Sequence, residues 1–328
     1  MKIALLGATG AVGRTMLQVL AERGVEVDEL RPLASERSRG QTLDFGGRSW
    51  RVDVPSAEAF RGCDVALFSA GGARSREWAP VAAAEGAVVI DNSSAWRMDA
   101  DVPLVVPEVN AAAALQRPRG IIANPNCSTI QLVVALEAIR RAAGLERVVA
   151  TTLQSVSGAG QGGIDALSAE RAGRAAQASP FPAPIDRNVV PRIGPFGDDG
   201  FTEEEAKVRN ESRKILDLPE LVIAATCVRV PVEIGHSISA TVETERPLDV
   251  RGAEAALRAM PGVRVLEGGA LPLPIDAAGR DEVLVGRIRQ DPDSDRVLHL
   301  WVVADNLRKG AATNAVQIAE HVFAGARG

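Results

Sequence analysis

The sequence contains no tyrosine, only three histidines (His236, His299 and His321) and only three cysteines (Cys63, Cys127 and Cys227). Each scarcity removes a class of chemistry. Without tyrosine there is no phenolic acid or base. Three cysteines cannot build a disulfide framework. With no recognisable secretory leader, this gives the expectation of a reducing, cytoplasmic setting. Nothing has the spacing of a zinc site, so no metal is expected. Aromatic residues make up 3% of the chain and the net charge is −5. Both argue against nucleic acid, which is recognised by basic patches and stacking rings. No apolar run approaches the roughly 20 residues that cross a bilayer, so no membrane partner is expected.

What remains is a 328-residue chain, 46% hydrophobic, which is long for one core and points to about two domains. The first part alternates strand and helix. Strands are predicted at 2–6, 65–69 and 87–90, with helices at 13–23 and 78–85. That order implies a parallel, doubly wound sheet whose strand C-termini open onto glycine-rich or polar loops. Beyond residue 127 the character changes. Strands are predicted at 148–156, 222–230, 236–243, 282–289 and 298–304. Helices are predicted at 166–177 and 202–216, with a terminal one over 310–323. Few helices between later strands favour a mixed sheet.

The run Gly7-Ala8-Thr9-Gly10-Ala11-Val12-Gly13 follows the first strand and opens the first helix. Its G-x-x-G-x-x-G spacing is a variant of the dinucleotide fingerprint, in which glycines allow a tight turn and close approach of a pyrophosphate to a helix N-terminus. After Glu29–Leu33 come Ser35, Glu36, Arg37 and Ser38. Two hydroxyls and a cation favour the 2′-phosphate of NADP, whereas Glu36 could hold a ribose hydroxyl instead.

Cys127 lies in Asn124-Pro125-Asn126-Cys127-Ser128-Thr129, at the start of a predicted helix. Unpaired N–H groups and the helix dipole favour an anion there, which activates a thiol; the alternative is a small buried residue at a corner. A reactive cysteine needs a base. His236 follows a Pro/Gly-punctuated segment and is the best candidate of the three histidines. Arg229 ends an otherwise apolar strand and must leave the core or meet an anion, for which its fork suits a carboxylate. Cys227 shares its face but reads as a packed thiol, as does Cys63. Glu204 and Lys207 share a helix face, and alone they read as a solvated pair. Arg97 is equally ambiguous alone.

Together these segments resemble aspartate-semialdehyde dehydrogenase. The resemblance spans nearly the whole chain. It includes the glycine loop, Asp91-Asn92-Ser93-Ser94-Ala95-Trp96-Arg97, Val105-Val106-Pro107-Glu108-Val109-Asn110 and the cysteine run. It continues through Gln154-Ser155-Val156-Ser157-Gly158-Ala159-Gly160, Arg229-Val230-Pro231, Gly235-His236-Ser237 and Asn314–Glu320. The resemblance implies an α/β fold: a Rossmann-type domain over residues 1–126, completed by the C-terminal helix 309–328, and an α+β catalytic and dimerisation domain over 127–308 with a mixed sheet, like glyceraldehyde-3-phosphate dehydrogenase.

The implied reaction is the reversible, NADP-dependent interconversion of aspartyl β-phosphate with aspartate semialdehyde and phosphate, through a thioester on Cys127. It feeds lysine, threonine, methionine and diaminopimelate synthesis. His236 matches the general acid/base and Gln154 the residue that orients the substrate. Arg229 would hold the carboxylate and Glu204 the ammonium group. Arg97 and Lys207 match the phosphate-binding pair, with Asn126 beside it. On the cofactor side the matches are Gly7, Thr9, Gly10, Ala11, Val12, Gly13, Ser35, Arg37, Ser38, Ser157, Gly158 and Asn306. The implied assembly is a homodimer, with a tetramer as the alternative. Departures are Leu153, where many relatives carry tyrosine, a shortened segment between Gly160 and Asn188, and the wording of Asp186–Gly194. Two rivals stand beside this reading: another acyl-phosphate or thioester reductase on the same scaffold, and a non-catalytic NADP-binding paralogue.

Overall fold

The computed structural model describes residues 1–176 and 178–324. The described residues divide into two compact units, Met1–Asn126 with 311–324, and Cys127–Gly310.

The first unit is built on strands β1 (Lys2–Leu6), β2 (Glu29–Leu33), the hairpin β3 (Thr42–Phe45) and β4 (Arg48–Arg51), then β5 (Val65–Phe68), β6 (Val88–Asp91) and β7 (Ile121–Ala123). Five of them form a parallel sheet in the order β2-β1-β5-β6-β7. The strand order reverses between β1 and β5, and in open α/β sheets that switch point is where a ligand crevice forms. Parallel strands are covered on both faces, which is why β5 reads Val-Ala-Leu-Phe and is buried throughout. The helix Ala11–Glu22 buries Met16, Val19 and Leu20 against Ile3 and Leu5 of β1. The helix Thr313–Ala324 contributes Ala315, Val316, Ile318, Ala319 and Val322 to the same core. Arg23 clasps Glu320 through paired contacts of 2.6–3.0 Å.

The hairpin has no counterpart among the elements predicted from sequence. Its turn is Gly46-Gly47, both with positive φ, the conformation that a two-residue hairpin turn needs. The helix expected at 78–85 begins earlier, at Gly72, and runs to Ala84 with Pro80 inside. Its first turn, Gly-Ala-Arg-Ser, carries no apolar periodicity.

The second unit has strands β8 (Arg147–Gln154), β9 (Val222–Arg229), β10 (His236–Glu243), β11 (Val263–Val265), β12 (Val283–Asp291) and β13 (Ser294–Ala304). They form a six-stranded mixed sheet, ordered β11-β12-β13-β10-β8-β9. The helix Cys127–Ala143 packs on β10, β12 and β13 and against the helices Glu203–Leu216 and Val250–Ala259. On β8 and β9, residues 148, 150, 152 and 154 and residues 223, 225, 227 and 229 are buried. The opposite row, with Val149, Thr151, Val222 and Thr226, is exposed. The helix expected over 166–177 occupies Gln161–Arg171 instead, and Gln177 lies outside the described residues. The terminal helix was expected from Gly310 and begins at Thr313, after a π-helical turn Arg308–Ala312; the expected 325–328 of that helix also lie outside the described residues. Among the described residues no helix is long and apolar enough to cross a membrane, and no group of three His, Cys, Asp or Glu could hold a metal.

Candidate active site

In the second unit, strand pairing brings the proposed substrate residues to one end of the mixed sheet. Gln154 and Arg229 are the last residues of the parallel neighbours β8 and β9 and pair directly in register. His236 opens β10, which runs antiparallel to β8, so its start lies beside the end of β8. It also pairs with Ala304, the last residue of β13, two residues before Asn306.

His236 is fully buried. The Ser155 N–H donates to its Nδ1 at 3.0 Å, and Ser155 Oγ lies 3.0 Å from the same atom. With Nδ1 an acceptor, the proton of the neutral ring sits on Nε2. Nε2 has no hydrogen-bond partner among the described residues. Burial, and then the Arg229 guanidinium, hold the imidazole well below its ordinary value. The Ser155 side chain is fixed in turn. Asn306 Oδ1 accepts from Ser155 Oγ at 3.0 Å, from Ser157 Oγ at 3.2 Å and from the Gly235 N–H at 2.9 Å. Asn306 Nδ2 donates to Ser157 Oγ at 2.9 Å. Ser157 and Asn306, matched by the resemblance to cofactor binding, thus also orient His236. A Cβ on Gly158 would lie 2.7 Å from an Arg229 nitrogen and 3.1 Å from His236 Nε2, so a glycine keeps this ground open.

Arg229 points inward from β9, as Cys227 does. It donates to the Ser155 carbonyl at 2.5 Å and stands over the Phe181 ring at 5.8 Å. It also lines a pocket of about 420 Å³ with Ala159, Phe181 and Arg192. Burial lowers its guanidinium, while the nearby Cys127 and Glu204 act in the opposite sense.

Glu204 is buried rather than solvated. A capping box explains this: Thr202 Oγ1 accepts from the Glu205 N–H, and Glu205 Oε2 accepts from the Thr202 N–H. The other Glu205 oxygen accepts from the Cys227 N–H at 3.0 Å, tying the helix to β9. Glu204 is thereby presented to Gln154, whose Nε2 donates to Glu204 Oε1 at 3.0 Å. Lys207 Nζ sits 3.5 Å from Glu204 and 2.8 Å from Glu203. Sequence alone could not separate a surface pair from this inward one.

Cys127 is the first residue of its helix and is partly exposed. Gly310, unmarked by the sequence, packs on it: a Cβ there would lie 3.0 Å from the Cys127 Cβ. The other thiols are buried. Burial pushes Cys227 up to about 12, and Cys63 is also raised by burial.

In the first unit, Arg97 is buried and donates to the carbonyls of Asn124 (2.9 Å) and Asn92 (3.0 Å). The Asn124 side chain bonds Asn92 and accepts from Asn314 Nδ2 at 2.7 Å. These contacts shape the loop that delivers Asn126, itself buried, to the helix start. At the switch point a cleft of about 460 Å³ is lined by Gly7, Thr9, Gly10, Ser35, Glu36, Ser69, Arg74 and Trp78. Gly7 has φ +92, and a Cβ there would strike Ser69 at 2.7 Å. A Cβ on Gly13 would come within 2.3 Å of the Gly7 carbonyl, whereas one on Gly10 would meet that oxygen only at 3.4 Å. Two glycines are therefore needed for packing, and the loop keeps its backbone open at Gly10, as a pyrophosphate cradle requires. Ala11 and Val12 form the first helical turn. Ser69 Oγ and Trp78 Nε1 are buried without partners among the described residues. Of the expected ribose-end residues, Ser35 and Glu36 line the cleft, Ser38 lies 3.4 Å from Thr9 Oγ1, and Arg37 is exposed. Arg74 and Trp78 escaped sequence reasoning because no spacing marks them.

Residues 2–117 match the family described as semialdehyde dehydrogenase, NAD binding domain, and residues 136–309 match semialdehyde dehydrogenase, dimerisation domain. An aspartate-semialdehyde dehydrogenase of Aquifex aeolicus is 52% identical, covering 97% of each chain. The solved structure of aspartate semialdehyde dehydrogenase II from Vibrio cholerae, complexed with ASA, matches with a TM-score of 0.95 at 49% identity, over 98% of each chain. The Candida albicans aspartate semialdehyde dehydrogenase solved with NADP matches at 0.77 and 26% identity, again over 98% of each. The chain belongs to the aspartate-semialdehyde dehydrogenase family.

Proposed function

We propose that this protein interconverts aspartyl β-phosphate with aspartate semialdehyde and phosphate, using NADP and a thioester on Cys127. The observation that carries this is the cluster at one end of the mixed sheet. A carboxylate (Glu204), a guanidinium (Arg229) and an imidazole (His236) surround Gln154, in the unit that opens with Cys127. An amino-acid substrate needs both an anion and a cation partner. In the biosynthetic direction the Cys127 thiolate attacks the acyl carbon, the carbon–oxygen bond to phosphate breaks, and phosphate leaves. The reduced cofactor, when bound, supplies the hydride that takes the acyl group to the aldehyde level. His236 presents its Nε2 proton to the oxygen that becomes anionic, and collapse of that oxyanion returns the thiolate. Arg229 and Glu204 hold the carboxylate and ammonium ends, and Gln154 fixes the carbonyl between them. Arg97, Lys207 and Asn126 serve the phosphate.

The cofactor would lie on the Gly7–Gly13 cradle, with its 2′-phosphate read by Ser35, Arg37 and Ser38. Side-by-side assays of phosphate-dependent oxidation of aspartate semialdehyde should give a kcat/KM for NADP at least about tenfold above that for NAD, since each added charge-assisted hydrogen bond is worth about 1.5–3 kcal/mol. Arg37→Ala should erase that preference and leave the NAD reaction unchanged. No turnover with either nucleotide, in protein that still binds NADP, sinks the enzyme reading.

The exposed row on β8 and β9, with Val149 at 40% and Val222 at 50% exposure, fits a self-complementary homodimer surface. Val149→Glu with Val222→Glu should shift the mass in light scattering from dimer to monomer; an unchanged dimer would place the interface elsewhere. A reducing, cytoplasmic setting suits cysteines that form no disulfide among the described residues.

A further inference from the structure

Gln131 stands one helical turn after Cys127, and residues four apart on a helix share a face. It interrupts the apolar run Ile130-Gln131-Leu132-Val133-Val134 and is wholly buried. Its Nε2 donates to the main-chain carbonyl of His236 at 3.2 Å. Its Oε1 is buried with no partner among the described residues. The amide orientation follows from chemistry, because a carbonyl accepts only from the N–H side. A residue retained for packing alone would be Leu or Met, which fill the volume without desolvating an unpaired acceptor. One polar contact therefore joins the helix that begins with the thiol to the residue that carries the imidazole. The imidazole itself is held at Nδ1 by the Ser155 N–H.

We propose that Gln131 is a positioning residue for the Cys127–His236 pair, its amide fixing the first turns of the cysteine helix against the start of β10. This rests on the roles given above to Cys127 and His236. Substrate anchoring belongs to Arg229 and Glu204, so loss of the tie should act on turnover and not on affinity. Gln131→Met keeps the volume and removes the donor. It should leave the melting temperature and the dimer intact, lower kcat by about ten- to a hundredfold, and hold KM for aspartate semialdehyde within about twofold, as expected for a sub-ångström misplacement of reacting groups. The pH profile of Cys127 alkylation by iodoacetamide should shift with it. A folded Gln131→Met variant with kcat within twofold of the parent and an unchanged alkylation profile overturns the proposal. Gln131→Leu is the second variant, and loss of the fold in both would make Gln131 a structural residue and overturn it equally. If the parent protein shows no turnover, the functional reading fails separately, and the alkylation profile alone decides for Gln131.

Discussion

Cys127→Ala is expected to abolish turnover, by a factor on the order of 10⁴ or more, in a protein that folds and binds its nicotinamide cofactor as the parent does. The size follows from the covalent role proposed for Cys127: without the thiolate that route forms no acyl-enzyme, and only binding contributions remain. The fold survives because the change removes one sulfur. The Cβ that Gly310 packs against stays in place, and the helix Cys127–Ala143 keeps its buried face. A companion measurement separates this thiol from the other two. Iodoacetamide at pH 7–8 should modify one cysteine per chain in step with loss of activity, since Cys227 is pushed up to about 12 and Cys63 is raised by burial. Near-parental activity in Cys127→Ala, or inactivation that tracks labelling at Cys227, would show the nucleophile to be elsewhere.

His236→Ala should lower kcat by about 10²–10⁴-fold, the usual worth of a positioned proton donor, with KM for the semialdehyde within a few-fold. A fall of less than about tenfold would remove His236 from the chemistry. The pH dependence gives a second handle. Burial and Arg229 keep the native imidazole neutral, whereas in the unfolded chain it titrates near 6.5. Just below about 6.5 the unfolded chain therefore binds more protons than the native one, so stability rises with pH there. The protein should therefore lose stability as pH falls below about 6.5, and His236→Asn should flatten that part of the curve. A stability profile in acid identical in parent and variant would contradict the buried neutral ring.

How much of this was legible depends on whether a feature is local. The glycine loop and the parallel sheet follow from strand–turn–helix punctuation and continuous apolar runs, and both stand in the structure. The hairpin at Gly46-Gly47 is marked in the sequence only by two turn glycines between short strands, a weak signal beside the long apolar runs. Glu204 and Lys207 mark the true boundary. Helical spacing gives their shared face, but only the packing of Glu205 on the β9 backbone turns that face inward. Ser155 and Gly310 carry no signal of their own, because a serine beside a glutamine and a glycine before an alanine run are common. Gln131 did carry one, a lone amide inside an apolar helical run. Reading it required knowing that His236 lies across from it, and a contact 105 residues away in sequence is beyond any local pattern.

The C-terminal helix has a consequence for the birth of the protein. Ala315, Val316, Ile318 and Val322 belong to the same core as Ile3, Leu5 and Met16. The ribosome makes the sheet of that half before residues 127–310, yet the helix Thr313–Ala324 that seals its core is made only after them. Residues 127–310 can complete their own sheet while the amino-terminal half still waits, exposed, for its closing helix. At about 5–20 residues per second, that wait lasts on the order of ten seconds or more, a window in which unsealed apolar strands are open to chaperones and to aggregation.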